Sequence, residues 1–313
     1  MYIEKRKVKN KFRYFLSHSF REGGKVHKTR KYLGEELNLH VLEERKEKAK
    51  NLILEEINKY KIIKNPLKVN LSKEEIRLVR VLQSKIDISI NHLSEEKWKQ
   101  FSELFTYNTN AIEGSELNIQ EVKGVLEEDQ WPKDKSKQDI AEAYGVNEAI
   151  KFIRETEENL SIDLVKKIHK IVFNNSKSFA GKFRKVGEEV VIRNRLGEIL
   201  HEGAPQTRVV SLLKELVSWY NKNMDKYPAL ILASVVHNQF ENIHPFADGN
   251  GRVGRILLNF VLLRHKLPPV SINFKNRSEY YQSLRSYDKE HNLRPTIELI
   301  LKEYKDLRGL ISK

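Results

Sequence analysis

Residues 244–255 bring together residue types that handle phosphate groups. The stretch reads HPFADGNGRVGR, and its chemistry-bearing members are His244, Asp248, Gly249, Asn250, Gly251, Arg252 and Arg255. A histidine can take a proton from a hydroxyl near neutral pH. A carboxylate can hold Mg²⁺ together with substrate phosphates, and arginines offer planar pairs of donors to phosphate oxygens. The stretch therefore predicts a phosphate-handling site.

Two helices must flank this stretch. Residues 228–241 are apolar with few charges, and from Arg252 to Arg264 apolar residues recur at helical spacing. Residues 244–251 are then a loop that leads into the second helix. The glycines let the backbone approach a ligand, and the first amides and the dipole of a helix favour an anion. Arg252 and Arg255, about one turn apart, could reach further oxygens of the same ligand.

Each of these residues alone has an ordinary structural explanation. A lone histidine is more often structural, a Gly-Asn-Gly stretch is more often a turn, and paired arginines are usually solvated. Their order here favours the phosphate site instead. The stretch also resembles, position by position, the signature of the Fic family, His-Xaa-Phe-Xaa-Asp/Glu-Gly-Asn-Gly-Arg-Xaa-Xaa-Arg.

The Fic resemblance implies a mainly α-helical enzyme that transfers AMP from ATP to a Ser, Thr or Tyr hydroxyl of a target protein. The implied roles are a general base at His244, a Mg²⁺ ligand at Asp248, an anion hole at Gly249, Asn250 and Gly251, outer-phosphate contacts at Arg252 and Arg255, and a core anchor at Phe246. A phosphorylating branch of the family has a lysine in place of the second motif glycine. Since this chain has Gly251 there, the resemblance favours transfer of a nucleotide.

An upstream segment, Thr109 to Gly114, resembles the inhibitory motif of the same family, Ser/Thr-Xaa-Xaa-Xaa-Glu-Gly/Asn. The resemblance implies that Glu113 pairs with Arg255 and competes with the γ-phosphate of ATP for that guanidinium. The inhibitory helix is expected over about 95–113. The structural alternative is that Glu113 only ends a helix before Gly114.

Two short β-branched runs, residues 190–193 and 198–201, flank a glycine-containing turn at 194–197 and predict a β-hairpin. With residues 181–184 before it, the segment resembles the Fic flap, whose edge receives the target protein by strand addition. An ordinary surface hairpin is the alternative.

Tyr280, Tyr281 and Asp288 lie where the family builds part of its adenine pocket, although these aromatic residues could equally belong to the core. We expect Tyr281 to contact the nucleotide. His237 precedes His244 by seven residues, on about the same helical face. A metal site on these two histidines is the less favoured alternative, because no third ligand accompanies them.

Composition fits a globular protein of one large or two modest domains, with 313 residues, 39% hydrophobic and 32% charged. The absence of cysteine excludes disulfides and thiolate metal sites. No apolar run approaches the roughly 18 residues of a membrane span, so no membrane partner is expected. The start lacks the apolar core of a signal peptide, which predicts a cytoplasmic protein.

The net charge of +14 is concentrated at the N-terminus, where residues 1–34 hold eleven Lys and Arg residues against Glu4 and Glu22. Alternating apolar residues and a turn at 22–25 predict a basic β-hairpin, which resembles the short arm of some tyrosine recombinases and transposases. Such a face suits a nucleic-acid backbone, and a solvated decoration is the alternative.

Together these patterns predict a mainly α protein with three parts: a basic β-hairpin arm (1–34), a helical connector (35–66) and a Fic core (67–313). Helices are expected at about 73–93, 95–110, 118–128, 135–157, 162–174, 209–223 and 296–310, besides the two around the motif. The favoured function is an auto-inhibited protein adenylyltransferase that could also modify itself or form a homodimer. The alternative is a nucleic-acid-associated regulator in which the Fic core serves as a nucleotide-responsive switch.

Overall fold

In a computed structural model of the chain, the structure describes residues 1–22, 25–64, 66–67, 71–86, 94–185, 187–188, 190–193 and 199–311. The chain divides into two compact units, Met1–Ile62 and Ile63–Lys313. The predicted mainly α fold is confirmed. No helix within the described ranges is both long enough and apolar enough to cross a membrane.

The first unit is a three-stranded antiparallel sheet with one helix. Its elements are β1 (Tyr2–Val8), β2 (Lys11–Glu22), β3 (Lys25–Glu35) and α1 (Leu39–Lys64). The strand order is β1-β2-β3, so a strand that the sequence patterns did not indicate joins the predicted hairpin. The glycines of the predicted turn, residues 23–24, lie outside the described residues. Leu16 and Leu33 on one face of the sheet pack against Leu42, Ile53 and Ile57 of α1.

The second unit is built mainly from helices. They are α2 (Lys73–Ser84), α3 (Glu95–Ile112), α4 (Ile119–Glu128), α5 (Lys137–Glu155), α6 (Ile162–Phe173), α7 (Val209–Asn223), α8 (Ala229–Ile243), α9 (Asn250–Arg264), α10 (Arg277–Glu290) and α11 (Arg294–Ile311). All residues of α8 are buried, which makes it the central helix of the unit. α9 packs against α8, α3, α5 and α6. The motif loop between α8 and α9 is therefore held by the core.

A two-stranded antiparallel hairpin, β4 (Val191–Arg193) and β5 (Ile199–Glu202), follows α6 where the sequence predicts one, and its role as a flap stays a prediction. Its turn at 194–198 lies outside the described residues. The helix predicted over 73–93 ends at Ser84 as α2, and residues 87–93 are likewise outside the described ranges. α10, which carries the proposed adenine-pocket residues, was not predicted as a helix.

Side-chain caps explain where several of these helices begin. Ser94 accepts a hydrogen bond from the Lys97 backbone at the start of α3. Asn118 and Glu121 form a reciprocal capping box at the start of α4. These contacts satisfy first-turn amides that have no partner within the helix. α9 has Gly249 at its N-cap and, like α7, α8 and α10, has no side-chain cap. Its first amides are thus left for another acceptor.

Candidate active site

His244 occupies the position where α8 ends. It adopts the left-handed conformation, with φ 50°, and its backbone amide donates to Phe240 at 2.9 Å. Its side chain is nearly buried, and Nδ1 lies 3.1 Å from the Glu241 carbonyl oxygen. A carbonyl oxygen can only accept, so this contact places the imidazole proton on Nδ1 and a lone pair on Nε2. In this tautomer Nε2 is the atom that can accept a proton.

The loop after His244 is closed by its own side chains. Asn250 accepts a hydrogen bond from the Phe246 amide and donates to the Phe246 carbonyl, both at 2.9 Å. Phe246 is fully buried and stacks on His169, with ring centroids 3.8 Å apart. The Asn250 side chain is therefore engaged with the loop. Its contribution to an anion hole would come from the backbone amide at the start of α9.

His169 on α6 contacts the backbone of this loop. Its Nδ1 accepts a hydrogen bond from the Gly181 amide at 2.8 Å, so Nε2 carries the proton and donates to the Asp248 carbonyl at 3.1 Å. Burial lowers the pKa of His169 to about 4, which keeps it neutral near pH 7. Sequence reasoning missed this residue. The signal was a histidine within the apolar face formed by Val165, Ile168 and Val172.

Arg184 joins the loop to the flap. Its buried guanidinium donates to the carbonyl oxygens of His244 at 2.8 Å and Glu188 at 3.0 Å, and also to that of Ala204. Its backbone amide donates to Pro245 at 3.1 Å. Glu188 precedes β4 and Ala204 follows β5, so one side chain ties both ends of the hairpin to His244. Arg184 lies in the segment before the predicted hairpin, and its sequence position alone did not indicate that it contacts the backbone of His244.

A carboxylate of the chain lies against the start of α9, where the sequence predicts an anion site. A Cβ atom on Gly251 would overlap Glu113 Oε1, and the same Oε1 accepts a hydrogen bond from Arg255 Nη2 at 2.8 Å. Gly249 adopts φ 82°, and a Cβ atom there would overlap the Phe173 ring. A side chain at position 249 would therefore meet a buried ring, whereas one at position 251 would have to displace the Glu113 carboxylate. Glu113 stands at the C-cap of α3, beside the amides that begin α9.

Arg255 is held by two residues of the same turn of α3. Thr109 accepts from Arg255 Nε through its hydroxyl at 2.7 Å and from Nη2 through its carbonyl at 2.9 Å. Glu113 accepts from Nη2, and the Tyr280 hydroxyl accepts from Nη1 at 3.2 Å. Arg255 is 2% exposed, whereas the Glu113 side chain retains 29% of its accessible surface. Glu113 is therefore the partner that can leave most easily.

Asp248 and Arg252 also lie against opposite charges. Lys177 Nζ is 2.8 Å from one Asp248 oxygen and 3.6 Å from Glu142. Burial by itself would raise the pKa of Asp248, but Lys177 and Arg252 together lower it below its ordinary value. Arg252 donates to the buried Glu142 and lies 4.6 Å from the Phe173 ring centre. The structure thus places Arg252 on Glu142, where the motif pattern suggested phosphate contacts alone.

The Asp248 carboxylate fits a hard cation. It retains 47% of its accessible side-chain surface, and oxygen ligands are those that Mg²⁺ prefers. Lys177 already places a positive charge against one of its oxygens. Asp248 is therefore the residue that would hold Mg²⁺, with Lys177 displaced from it. No cluster of three or more His, Cys, Asp or Glu residues suited to a metal occurs in the described part of the chain.

The proposed adenine-pocket residues lie in different environments. Tyr280 is buried against Arg255, and its ring lies tilted against that of His237, with ring centroids 5.7 Å apart. Tyr281 is partly exposed, and its hydroxyl donates to the Ile112 carbonyl at 3.2 Å. His237 is fully buried, which lowers its pKa to about 3. Tyr281 remains the accessible aromatic beside the end of α3, while Tyr280 and His237 belong to the core.

In the comparison with known proteins, residues 159–262 match the Fic/DOC family. These residues form a Fic domain. Its relatives include Protein adenylyltransferase fic-1 of Caenorhabditis elegans, which is 30% identical over 206 residues, covering 64% of this chain and 39% of the relative. Protein adenylyltransferase Fic of Nematostella vectensis is 29% identical, covering 62% and 45%. The chain thus spans about two fifths of the length of these relatives.

Solved structures give the same result for the Fic fold. Fic-1 from C. elegans aligns with a TM-score of 0.63 at 28% identity, covering 76% of this chain and 70% of that one. A Fic family protein from Desulfovibrio desulfuricans aligns with a TM-score of 0.66 at 21% identity, covering 77% and 75%. The second likeness shows the fold alone.

Proposed function

We propose that this protein transfers AMP from ATP to a Ser, Thr or Tyr hydroxyl of a protein target, and that Glu113 restrains the reaction. A histidine that ends α8 and an anion-binding helix start at α9, joined by one short loop, support the proposal. The names of the Fic relatives support it too. The observation that carries it is the Glu113 carboxylate, which lies against Gly251 and Arg255 where phosphate oxygens would fit.

The chemistry follows from the tautomer of His244. The target hydroxyl gives its proton to Nε2 while its oxygen forms a bond to the α-phosphorus of ATP. The bond from that phosphorus to the bridging oxygen breaks, and pyrophosphate leaves. The Glu241 carbonyl holds the Nδ1 proton and orients the ring throughout.

Phosphoryl transfer depends on positioning and charge neutralisation more than on covalent catalysis. The amides at the start of α9 and the guanidinium of Arg255 would hold the phosphate chain. Mg²⁺, held by Asp248 and the phosphates, would neutralise part of their charge. Asn250 and Phe246 keep the loop closed around these amides.

Restraint by Glu113 is a competition for one guanidinium. While Glu113 accepts from Arg255 Nη2, the γ-phosphate cannot take that donor, and ATP must bind with its α-phosphorus away from the target hydroxyl. Hydrogen bonds to charged groups contribute about 1.5 to 3 kcal/mol. Removing Glu113 should therefore raise the rate roughly tenfold or more.

The test incubates the full chain and its Glu113→Gly variant with α-labelled ATP and Mg²⁺ and measures labelled protein, with mass spectrometry to locate AMP. Self-modification would make the protein its own reporter. Glu116→Gly is the matched control, since Glu116 is an exposed glutamate three residues further on. We expect a gain for Glu113→Gly, no gain for Glu116→Gly, and loss of the gain when Arg255→Ala is added.

His244→Ala in the Glu113→Gly background should abolish labelling while ATP still binds, because the change removes the proton acceptor and spares the anion site. Folded Glu113→Gly protein with unchanged or lower labelling would remove the restraint from the proposal. Labelling that persists without His244 would remove the transfer mechanism itself.

The flap offers a route for the target. β4 and β5 form a two-stranded sheet, and a target segment could add as a further strand, which recognises backbone groups with little demand on sequence. Arg184 holds both ends of this hairpin to the backbone of His244. A segment docked on the flap would thus have a fixed relation to the proposed base.

A further inference from the structure

One face of the N-terminal sheet is turned away from α1. Antiparallel pairing places paired residues on the same face, so the pairs Arg6↔Arg13, Phe15↔Tyr32 and Ser17↔Arg30 define it. This outer face consists of the even-numbered residues of β1, the odd-numbered residues of β2 and the even-numbered residues 26–32 of β3. Leu16 and Leu33 have the opposite parity and pack against α1.

Arginine is confined to this outer face. Residues 1–35 contain Arg6, Arg13, Arg21 and Arg30, and the strand register places all four on it. All four are exposed. Lysine shows no such segregation, since Lys5 and Lys7 lie on the α1 side and Lys28 on the outer face. Solubility requires only charge, which lysine and arginine supply equally, so it does not explain why arginine alone is restricted to one face.

The Phe15 ring contacts two of these guanidinium groups. Arg30 lies 5.3 Å and Arg6 5.7 Å from the Phe15 ring centre, and Phe15 contacts Tyr32 with centroids 5.3 Å apart. Tyr32 is 56% exposed. Cations over aromatic faces are attracted to them, which restricts the conformations of the side chains. The donors on this face are thus partly ordered before any ligand arrives.

The acidic residues of the face pair with several of its cations, but the face keeps a net positive charge. Glu4 accepts hydrogen bonds from Arg6 and from Ser17, each at 2.9 Å, with Lys28 at 3.4 Å. The bond from Arg6 is the largest of the causes that lower its pKa to about 2. Counting Glu35, which pairs with Arg13, the face still carries six cations against two carboxylates.

We propose that this outer face binds double-stranded DNA by entering its major groove. The charge of the face complements the phosphate backbone, and arginine is the side chain whose donor pair matches the O6 and N7 acceptors of guanine. Three strands spaced by about 4.8 Å span about 10 Å, comparable with the ~12 Å width of the groove. The major groove of duplex RNA is too deep and narrow for such an entry. This inference is independent of AMP transfer.

The test measures fluorescence anisotropy of a labelled DNA duplex about two helical turns long, titrated with the full chain between roughly 50 and 200 mM salt. The test variant is Arg6→Gln with Arg30→Gln. The matched control is Lys48→Gln with Lys50→Gln, which removes equal charge from exposed positions on α1. A second pair, Arg13→Gln with Arg21→Gln, tests the same face and leaves Glu4 and the residues that donate to it unchanged.

We expect each arginine pair to weaken binding roughly tenfold or more and to reduce the salt slope by about two, while the lysine pair changes little. Circular dichroism and thermal unfolding would verify that each variant is folded. Equal losses in the arginine and lysine variants would mean that only net charge matters, and would overturn the proposal. Equal binding to duplex RNA, or tighter binding to phosphatidylserine vesicles, would overturn the assignment to the DNA major groove.

Discussion

At the residue scale, the three charged motif residues each lie against an opposite charge from elsewhere in the chain. Lys177 contacts Asp248, Glu142 contacts Arg252, and Glu113 contacts Arg255. Unpaired charges in a partly buried site are costly, so such partners stabilise the site. Under the proposed function, a nucleotide would compete with them. The partner contacts would then affect affinity and rate as directly as the motif residues do.

Glu241 is a buried acid that the motif does not include. It lies three residues before His244, is 7% exposed, and its Oε1 has no hydrogen-bond partner among the described residues. A Cβ atom on Gly254 would overlap that oxygen. Burial raises the pKa of Glu241 to about 8, although Arg255 acts in the opposite direction. The raised pKa favours the protonated form of this carboxyl near neutral pH in the folded protein.

Protonation of Glu241 predicts how stability varies with pH. The folded state keeps a proton that the unfolded chain releases near pH 4.3, so this contribution is complete below that pH and is lost as pH rises to about 8. The slope is at most about 1.4 kcal/mol per pH unit. Urea unfolding across this range should show a steeper loss for the natural chain than for Glu241→Gln. Glu116→Gln is the exposed control, and identical slopes for all three proteins would contradict the prediction.

At the element scale, the junction of α6 with the start of α9 determines the shape of the proposed anion site. Gly249 turns the chain into α9 with φ 82° while the Phe173 ring of α6 lies against its Cα. α3 contributes both Thr109 and Glu113, four residues apart, to the same guanidinium. The proposed site therefore lies where α3, α6 and α9 meet, and the position of each helix restricts the positions of the other two.

Gly249→Ala should be destabilising for two separable reasons. A positive φ costs a non-glycine residue about 1 to 2 kcal/mol, and the overlap with Phe173 adds about 1 to 3 kcal/mol. Gly114→Ala separates them, because Gly114 has φ 100° with no atom within 4 Å of an added Cβ. The free energy of unfolding from urea titration should fall further for Gly249→Ala. Equal losses would mean that the Phe173 contact is unimportant.

At the scale of the whole molecule, each unit has an apolar core of its own. The cluster of Leu16, Leu33, Leu42, Ala49, Ile53 and Ile57 lies within the first unit. Clusters around Leu117 and Ile112 lie within the second. Cutting at the end of α1 divides none of these clusters. Removing only residues 1–34 would instead expose the apolar side of α1.

We therefore expect a chain that lacks residues 1–64 to fold and to keep the proposed AMP transfer, since every residue placed in the site belongs to the second unit. Thermal unfolding and labelling with α-labelled ATP in the Glu113→Gly background provide the measurements. The control is the full-length Glu113→Gly protein. A folded truncated chain that no longer transfers AMP would make the first unit part of the catalytic machinery.

Local patterns were sufficient for much of the second unit. α8 and α9 follow from apolar spacing, and the loop between them is held by contacts over four residues, such as that of Asn250 with Phe246. Interactions so close in sequence are encoded in one segment, which is why a contiguous motif could predict them. The fold class could be predicted for the same reason.

What the sequence by itself determined is the identity of the motif, the helices around it and the basic N-terminus. The tertiary structure decided which distant side chains meet the motif, because Lys177, Glu142, His169 and Arg184 reach it only through helix packing. It also revealed β1, since the turn into β2 uses Lys9 at φ 56° and contains no glycine. The register of that sheet shows that all its arginines lie on one face. Alternation along a single strand separates two sets of side chains, but only the pairing of the strands shows which sets share a face.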